Sequence, residues 1–368
     1  MSQPLDLSYV VPIRWRDGEQ RRDLADYLSS ISARCAEVIV VDGSPPEVFA
    51  ANAEALGGCA THVPPAPEES WLMGKVSGVR TGLRLASRER IVVADDDVRY
   101  DLPALCRTAQ LLDEHDLVRP QNYFSRLPWH ARWDTARTLL NRSLGRDYPG
   151  TLAVRRSRVL AMGLYDGDVL FENLELIRTV RAHGGSTASP LDLYVARVPP
   201  AAAHFWGQRT RQAYDDFALP VRMALWLGLL PLLLLAAARR RPGWALAPAA
   251  LAVAAAERGR RRAGGTAFFP WSSSLLAPVW MLERGVCAWL AVLQRLRFGG
   301  VRYGDSVIPV AAHSERKLRR RFAAGGSGAG DPGRKGGWSP RSNGEQPPTS
   351  TGSKTPASTG TSSRPSPA

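Results

Sequence analysis

The residues best suited to chemistry are three consecutive carboxylates, Asp95, Asp96 and Asp97, which directly follow the apolar run at residues 90–94. Adjacent carboxylates repel one another, so a cation or a strongly positive surrounding must offset them. A hard divalent ion, Mg²⁺ or Mn²⁺, bridging to a diphosphate would do so. Because alternate side chains of an extended segment share a face, Asp95 and Asp97 are expected to act together. The alternative is a solvated acidic turn.

A second acidic position is Asp42, which ends the β-branched run at residues 37–41. A carboxylate at the end of a buried strand could accept hydrogen bonds from a ribose or a base. The residues that follow it, Gly43, Ser44 and Pro45, are equally typical of an ordinary turn. Both interpretations stay open for Asp42.

The third acidic position is a pair, Glu172 and Glu175, within the predicted helix at residues 171–183. Their spacing of three residues places both on one face of a helix. Either carboxylate could therefore serve as a general base. The alternative is an ordinary amphipathic helix, with Leu174 and Ile177 on its apolar side.

Alternating strands and helices surround these acidic positions. Short apolar runs predict strands at residues 9–13, 37–41 and 90–94, and helical periodicity predicts helices near residues 24–31 and 74–87. Continuous apolar strands are typical of a parallel sheet covered on both faces. The order of elements therefore indicates an α/β doubly wound sheet. From residue 118 to 215 the pattern loosens and no clear period is visible.

Three apolar runs follow, at residues 221–238, 242–256 and 275–294. A membrane-spanning helix needs about 20 residues, with about 17 as the lower bound, so the first run qualifies and the second is short. The third contains Glu283 and Arg284, which are costly in hydrocarbon unless they are paired within the bundle. We expect a hairpin of the first two runs with the third in the membrane interface. The alternative is a soluble helical subdomain.

These features predict four parts of the chain. A catalytic α/β domain covers residues 1–215, membrane-associated helices cover 216–298, and a basic juxtamembrane segment covers 299–321. The last part, residues 322–368, consists mainly of Gly, Ser, Pro and Thr. Since it cannot bury enough apolar surface to fold, we expect a disordered tail.

The formal charge of +14 indicates an anionic partner. Arginine clusters flank the apolar runs, which favours a membrane surface, and no basic helix or aromatic–basic motif of nucleic-acid-binding proteins is visible. The four cysteines contain no CxxC pair and are expected to be reduced, as in the cytosol. The first residues lack the basic and apolar segments of a signal peptide. We therefore expect a protein of the cell membrane with its catalytic domain on the cytoplasmic side.

Taken together, the motifs resemble those of glycosyltransferase family 2, which has the GT-A (Rossmann-like) nucleotide-sugar-binding fold. The similar segments occur in the order of the family: residues 10–13 (VVPI), 40–44 (VVDGS), 74–83 (GKVSGVRTGL), 93–98 (VADDDV), 162–165 (MGLY), 171–178 (FENLELIR) and 208–211 (QRTR). The resemblance covers about residues 8–215. The apolar runs beyond it fit the membrane-bound, non-processive members of that family.

The resemblance implies an inverting displacement on a nucleoside-diphosphate sugar, with Mg²⁺ or Mn²⁺ as cofactor and a lipid or polyprenyl-linked acceptor. It also implies roles for individual residues. The implied roles are metal binding for Asp95, Asp97 and His204, donor binding for Asp42, Lys75, Asp96, Gln208 and Arg211, and base catalysis for Glu172 or, second, Glu175.

The chain departs from the family pattern at three places. Arg14 and Trp15 stand where the family has Asn, Asn173 replaces the catalytic Asp, and Gln212 replaces a Trp. The last change argues against a processive polymer synthase. Because Asn173 cannot take a proton, a polyprenyl-phosphate acceptor, which needs no base, stays open. A non-catalytic scaffold that binds nucleotide sugars is a further alternative.

Overall fold

The computed structural model describes residues 3–18, 21–145, 147–304 and 306–325. The strands in this part of the chain are β1 (Leu5–Ile13), β2 (Cys35–Asp42), β3 (Thr61–Val63), β4 (Arg90–Ala94), β5 (Val98–Arg99), β6 (Leu117–Val118), β7 (Gln121–Phe124), β8 (Thr151–Arg155), β9 (Thr187–Ala188), β10 (Tyr194–Arg197), β11 (Val301–Tyr303) and β12 (Ser306–Ile308). The helices are α1 (Arg21–Ser32), α2 (Pro46–Leu56), α3 (Gly74–Leu85), α4 (Leu102–Glu114), α5 (Trp129–Leu144), α6 (Arg156–Ala161), α7 (Glu172–Ala182), α8 (Ala202–Tyr214), α9 (Pro220–Ala238), α10 (Gly243–Arg261), α11 (Trp271–Leu275), α12 (Ala277–Phe298) and α13 (Glu315–Gly325).

The central sheet has the strand order β3-β2-β1-β4-β8-β6-β9. Strands β3, β2, β1 and β4 are parallel, which confirms the predicted α/β fold with a parallel sheet. Strand β8 runs antiparallel to both β4 and β6, so the second half of the sheet is mixed. Strands β5, β10 and β7 form a second sheet beside it, and β11 and β12 form a hairpin.

Both faces of the parallel strands are buried, as their continuous apolar sequence predicts. On one face, Leu7 and Tyr9 of β1 belong to the same apolar cluster as Leu24 and Leu28 of α1. On the other, Val10 belongs to a cluster with α3. Helix α3 comes so near to β1 that a Cβ on Gly82 would lie 2.3 Å from Cγ1 of Val10. The glycines of α3 therefore allow the close packing of this helix on the sheet.

Residues 118–215, in which the sequence shows no clear period, contain regular helices and strands. Helix α5 and strand β8 lie there, and β8 pairs with β4 in the central sheet. The buried face of α5 includes His130, Asp134 and Arg142, so its apolar period is obscured by polar residues. These polar side chains are buried because they bond to partners distant in sequence, such as Arg209 with Asp134.

The three C-terminal apolar runs form helices α9, α10 and α12. Within the described residues, only α9 is long and apolar enough to cross a membrane, judged by length and composition. Of its most apolar 18-residue stretch, 11% is buried. Helices α10 and α5 share an apolar cluster that includes Ala252 and Leu139. The predicted hairpin of two membrane helices therefore has one candidate helix, α9. Helix α10 packs against α5, as the alternative of a soluble helical subdomain predicts.

The charged residues of α12 are paired with residues of α8 and of the segment that follows it. Arg209 of α8 donates through Nε to Glu283 at 3.0 Å, and Nη1 of Arg284 lies 3.8 Å from Asp216. Arg222 of α9 also donates through Nε to Asp216, at 2.5 Å. These contacts hold α9 and α12 to the end of α8.

Helix α13 continues to Gly325, three residues beyond the predicted start of the tail at residue 322. The remaining tail, residues 326–368, lies outside the described residues. The predicted basic segment, 299–321, contains β11, β12 and most of α13, with Leu318 buried against the domain. The cysteines are free thiols, as expected.

Candidate active site

The candidate site lies at the carboxyl ends of β1, β2 and β4. Strand β1 has β2 on one side and β4 on the other, so the strand order reverses next to β1, where open α/β sheets bind ligands. Asp95 follows β4 directly, and its backbone N–H donates to the carbonyl of Gly150 at 2.9 Å. A Cβ on Gly150 would lie 2.7 Å from Oδ2 of Asp95, so a glycine is required beside this carboxylate.

Lys75 bridges two of the predicted site residues. Its Nζ lies 2.6 Å from Oδ1 of Asp95 and 2.6 Å from Oε1 of Glu172. Burial by itself would lower the pKa of Lys75, but the two carboxylates outweigh it and hold this pKa above its ordinary value. The start of α3, the end of β4 and the start of α7 therefore meet at one ammonium group.

Asp97 and Asp95 face a second cation, Arg197 of β10. Its Nε donates to Oδ2 of Asp97 at 2.7 Å, and its Nη2 lies 3.7 Å from Oδ2 of Asp95. The two carboxylates thus lie near the same guanidinium group, on the shared face that their alternation in the sequence predicts. Burial raises the pKa of Asp97 to about 6, against the lowering effect of Arg197. The other oxygen of Asp97, Oδ1, is buried and has no hydrogen-bond partner among the described residues.

Asp96 has a different partner from its two neighbours. Nε1 of Trp15 donates to Oδ2 of Asp96 at 2.7 Å. The backbone N–H of Trp15 donates to Oγ of Ser44 at 2.9 Å. The residues after β1, β2 and β4 are therefore joined to one another, and donor binding by Asp96 stays a prediction.

Asp42 is buried at the end of β2 and its carboxylate is bonded within the chain. It accepts hydrogen bonds from the backbone of Ser44 at 2.8 Å and from Nδ2 of Asn52 at 2.8 Å, and lies 3.0 Å from Nε2 of His62. Burial would raise the pKa of Asp42, but these hydrogen bonds outweigh it and hold the pKa below its ordinary value. The contact to Ser44 is the turn contact of the alternative interpretation, and contact with a nucleoside stays a prediction.

The two predicted bases have separate surroundings. Glu172 contacts Lys75, whereas Glu175 is fully buried and accepts from the backbone N–H of His313 at 2.7 Å. Nδ1 of His313 lies 2.9 Å from the other oxygen of Glu175. Glu175 therefore anchors the segment before α13, and the role of either glutamate as a base stays a prediction. Asn173, between them, donates to the carbonyl of Pro149 at 3.0 Å.

The three predicted residues of α8 lie on its accessible side. His204 is exposed and contacts Gln208. The guanidinium of Arg211 lies 5.3 Å from the ring centre of Tyr303. Burial, and next Arg211, lower the pKa of His204. None of the described contacts brings these side chains to Asp95 or Asp97, so their roles stay predictions.

Two residues of the site escaped sequence reasoning. Arg197 belongs to no motif, and only the pairing of β10 with β5 brings it to the acidic turn. Asp215 follows α8, and burial, with the nearby charge of Glu172, raises its pKa to about 8. For Asp215, the only signal in the sequence was that two carboxylates, Asp215 and Asp216, follow each other at the end of a helix.

The donor set fits a hard divalent ion in part. Carboxylate oxygens are the ligands that Mg²⁺ and Mn²⁺ prefer, and the unpartnered Oδ1 of Asp97 is an acceptor that a cation would satisfy. Over the described ranges, no three His, Cys, Asp or Glu side chains are gathered as a metal cluster. Asp95 and Asp97 are the residues that could hold an ion, together with ligands from the substrate.

Comparison with known proteins finds similarity in solved structures only. No family model matches the chain, and no curated protein matches it. A mannosyltransferase from Pyrobaculum calidifontis in complex with GDP-Man and Mn²⁺ has 17% identity and a TM-score of 0.45, over 78% of this chain and 88% of that one.

Two structures of glucosyl-3-phosphoglycerate synthase from Mycobacterium tuberculosis are also similar. One, with Mn²⁺, UDP and glucosyl-3-phosphoglycerate, has 17% identity and a TM-score of 0.38, and covers 56% of this chain and 77% of that one. The other, with Mg²⁺ and UDP, has 19% identity and a TM-score of 0.38, over 56% and 76%. Likeness at this level does not decide what this chain does.

Proposed function

We propose that this protein is an inverting, metal-dependent glycosyltransferase of family 2. It would move a sugar from a nucleoside-diphosphate sugar to a lipid or other membrane-associated acceptor. One observation carries the proposal: Lys75 joins Asp95 to Glu172, and Arg197 joins Asp97 to the same cluster, at the reversal point of the sheet. The seven motifs in family order support the finer assignment.

The cluster can bind an anionic donor and support its departure. Mg²⁺ or Mn²⁺, bound by Asp95 and Asp97, would supply the charge that stabilises a leaving diphosphate. Lys75 and Arg197 offset the mutual repulsion of the two carboxylates. Charge already in place at the site lowers the barrier without reorganisation during the reaction.

Glu172 is the proposed base for an alcohol acceptor. Its side chain is next to the carboxylates of the donor site through Lys75, so an acceptor hydroxyl bonded to it would be near the sugar. A polyprenyl-phosphate acceptor is already anionic and would need no base. The amide of Asn173, which bonds to Pro149, is compatible with that second acceptor class.

Membrane attachment is the proposed location, with the catalytic domain on the cytoplasmic side. Helix α9 exposes large apolar side chains, including Val221, Leu225 and Leu234, which are 65–77% exposed. Trp244 and Trp271, also exposed, are of the residue type enriched at membrane interfaces. These surfaces support an acceptor that is itself in the bilayer.

A non-catalytic nucleotide-sugar-binding scaffold is the second candidate. It is favoured by the ion pairs themselves, because Lys75 and Arg197 already neutralise Asp95 and Asp97 in this structure. Such a protein would bind the donor and transfer nothing.

Nucleoside diphosphate release distinguishes the two. Membranes that contain the protein would be supplied with UDP-, GDP- and dTDP-sugars and Mn²⁺ or Mg²⁺, and wild type compared with Asp97→Ala. Release from one donor, abolished by the substitution and by chelator, is the expected result. Metal-dependent donor binding without release, in membranes that hold candidate acceptors, would promote the scaffold.

A further inference from the structure

The basic side chains at the carboxyl ends of the strands differ in whether they already form an ion pair with a carboxylate. Lys75 is bound to Asp95 and Glu172, and Arg197 to Asp97. Arg14, which directly follows β1, is exposed and has no hydrogen-bond or ion-pair partner among the described residues. Its guanidinium is therefore available to an anionic ligand.

Arg14 lies between the other two parts of the site. Its Nη1 would be 3.3 Å from a Cβ on Gly74, the residue before Lys75. Its Cδ would be 4.0 Å from a Cβ on Gly43, the residue after Asp42. The glycines thus leave room for the arginine stem and its guanidinium next to the start of α3.

The backbone that carries Arg14 is held in place on both sides. Before it, the carbonyl of Ile13 accepts a hydrogen bond from the N–H of Gly43 at 2.9 Å. After it, Trp15 is bonded to Ser44 and, through its indole, to Asp96. Because the backbone is held on both sides of Arg14, the point at which its side chain leaves the main chain is fixed. This point lies at the edge of the sheet where donor binding is proposed.

We propose that Arg14 binds the diphosphate of the nucleotide-sugar donor. The inference rests on the proposed function and deepens it by naming the group that recognises the diphosphate. A guanidinium presents its N–H groups as a planar fork that matches two phosphate oxygens. Lys75, for which donor binding was predicted, is instead bound to two carboxylates, so Arg14 is the group that contacts the diphosphate.

The alternative is that Arg14 is a solvated surface arginine. Against it stands its position beside Gly74 at the reversal point of the sheet, within the cluster that also holds Lys75 and Asp96. A surface arginine without a ligand would make no difference to nucleotide affinity, and this separates the two interpretations.

Calorimetric titration of the purified full-length protein with GDP, UDP, guanosine and uridine, each with Mn²⁺, tests the proposal. Wild type would be compared with Arg14→Gln, which keeps most of the stem, and Arg14→Ala. The matched control is Arg107→Ala, an exposed arginine of α4 that removes the same charge elsewhere. Thermal melting of each variant reports whether the fold is kept.

We expect both Arg14 variants to bind the preferred diphosphate about tenfold or more weakly, a typical loss for one charged contact. The affinity for the matching nucleoside and the melting temperature should stay unchanged, and Arg107→Ala should behave as wild type. Equal loss for nucleoside and diphosphate, or no loss, overturns the assignment to Arg14 while leaving the proposed function intact. If wild type binds neither diphosphate, the proposed function fails and the inference fails with it.

Discussion

The guanidinium of Arg197 donates through Nε to Oδ2 of Asp97 at 2.7 Å, between residues that are 100 positions apart in the chain. Strand β10 makes this possible, because its antiparallel register places Arg197 opposite Val98, the residue next to Asp97. The acidic turn after β4 is consequently not a solvated one. It is a partly buried group of carboxylates with fixed counter-charges.

The absence of a side chain at Gly150 is expected to be necessary for this arrangement. Gly150→Ala would place a methyl group 2.7 Å from Oδ2 of Asp95 and 3.2 Å from Cζ of Arg197. We expect nucleoside diphosphate release to fall at least about tenfold and stability to drop by about 1–3 kcal/mol, as for other overpacked positions. Gly145→Ala is the control, because a Cβ there meets open space. Equal behaviour of the two variants in the release assay and in melting would contradict the prediction.

Replacement of Glu172 is expected to affect chemistry more than donor binding. Glu172→Gln keeps the shape of the side chain but cannot take a proton, so turnover with an alcohol acceptor should fall about 100-fold or more. Donor affinity, measured by titration with a nucleotide sugar, should change much less. Glu114→Gln, an exposed position of α4, is the matched control. Near-normal turnover of Glu172→Gln with an alcohol acceptor would rule out its role as the base.

The carboxyl group of Asp215 is expected to make stability depend on pH. Burial raises its pKa to about 8, so the folded protein binds a proton that the unfolded chain releases near pH 4. Stability therefore declines as pH rises from about 4 to 8, and an uncharged Asn removes this decline. Asp215→Asn should melt at a higher temperature than wild type at pH 8, by more than it does at pH 5. Asp26→Asn, exposed on α1, should show no such difference. An effect of Asp215→Asn that is the same at both pH values would exclude this titration.

A charge on the exposed side of α9 is expected to weaken membrane attachment. Leu234 is 72% exposed and lies in the C-terminal third of α9, where an arginine costs less than the about 2.5–3.5 kcal/mol that insertion scales give at a helix centre. Leu234→Arg should move part of the protein from the floating to the soluble fraction in a membrane flotation assay. Leu144→Arg, equally apolar and 89% exposed on α5, should leave the distribution unchanged. If Leu234→Arg floats as wild type does, α9 is not the attachment.

Much of the fold and part of the site could be predicted from local sequence. Residues 37–41 and 90–94 are continuous apolar runs, and their burial on both faces of a parallel sheet follows from that pattern. Asp101 is of a residue type that commonly begins helices, and its side chain accepts a hydrogen bond from the N–H of Ala104 at the start of α4. Such features depend on neighbours in the chain, so they can be recognised without knowing the rest of the fold.

What the sequence by itself determined was therefore the alternation of strands and helices and the position of the acidic turn at Asp95–Asp97. The tertiary structure decided the partners. Arg197 and Glu172 reach that turn only through strand pairing and helix packing, and α5 is hidden from periodicity because its buried polar residues bond to distant ones such as Arg209. Likewise, the spacing of Glu172 and Glu175 places both on one helix face, but their partners differ. Glu172 contacts Lys75, and Glu175 contacts His313. The reason is physical: hydrophobic period is a local property, whereas ion pairs and buried hydrogen bonds join residues that only the folded chain brings together.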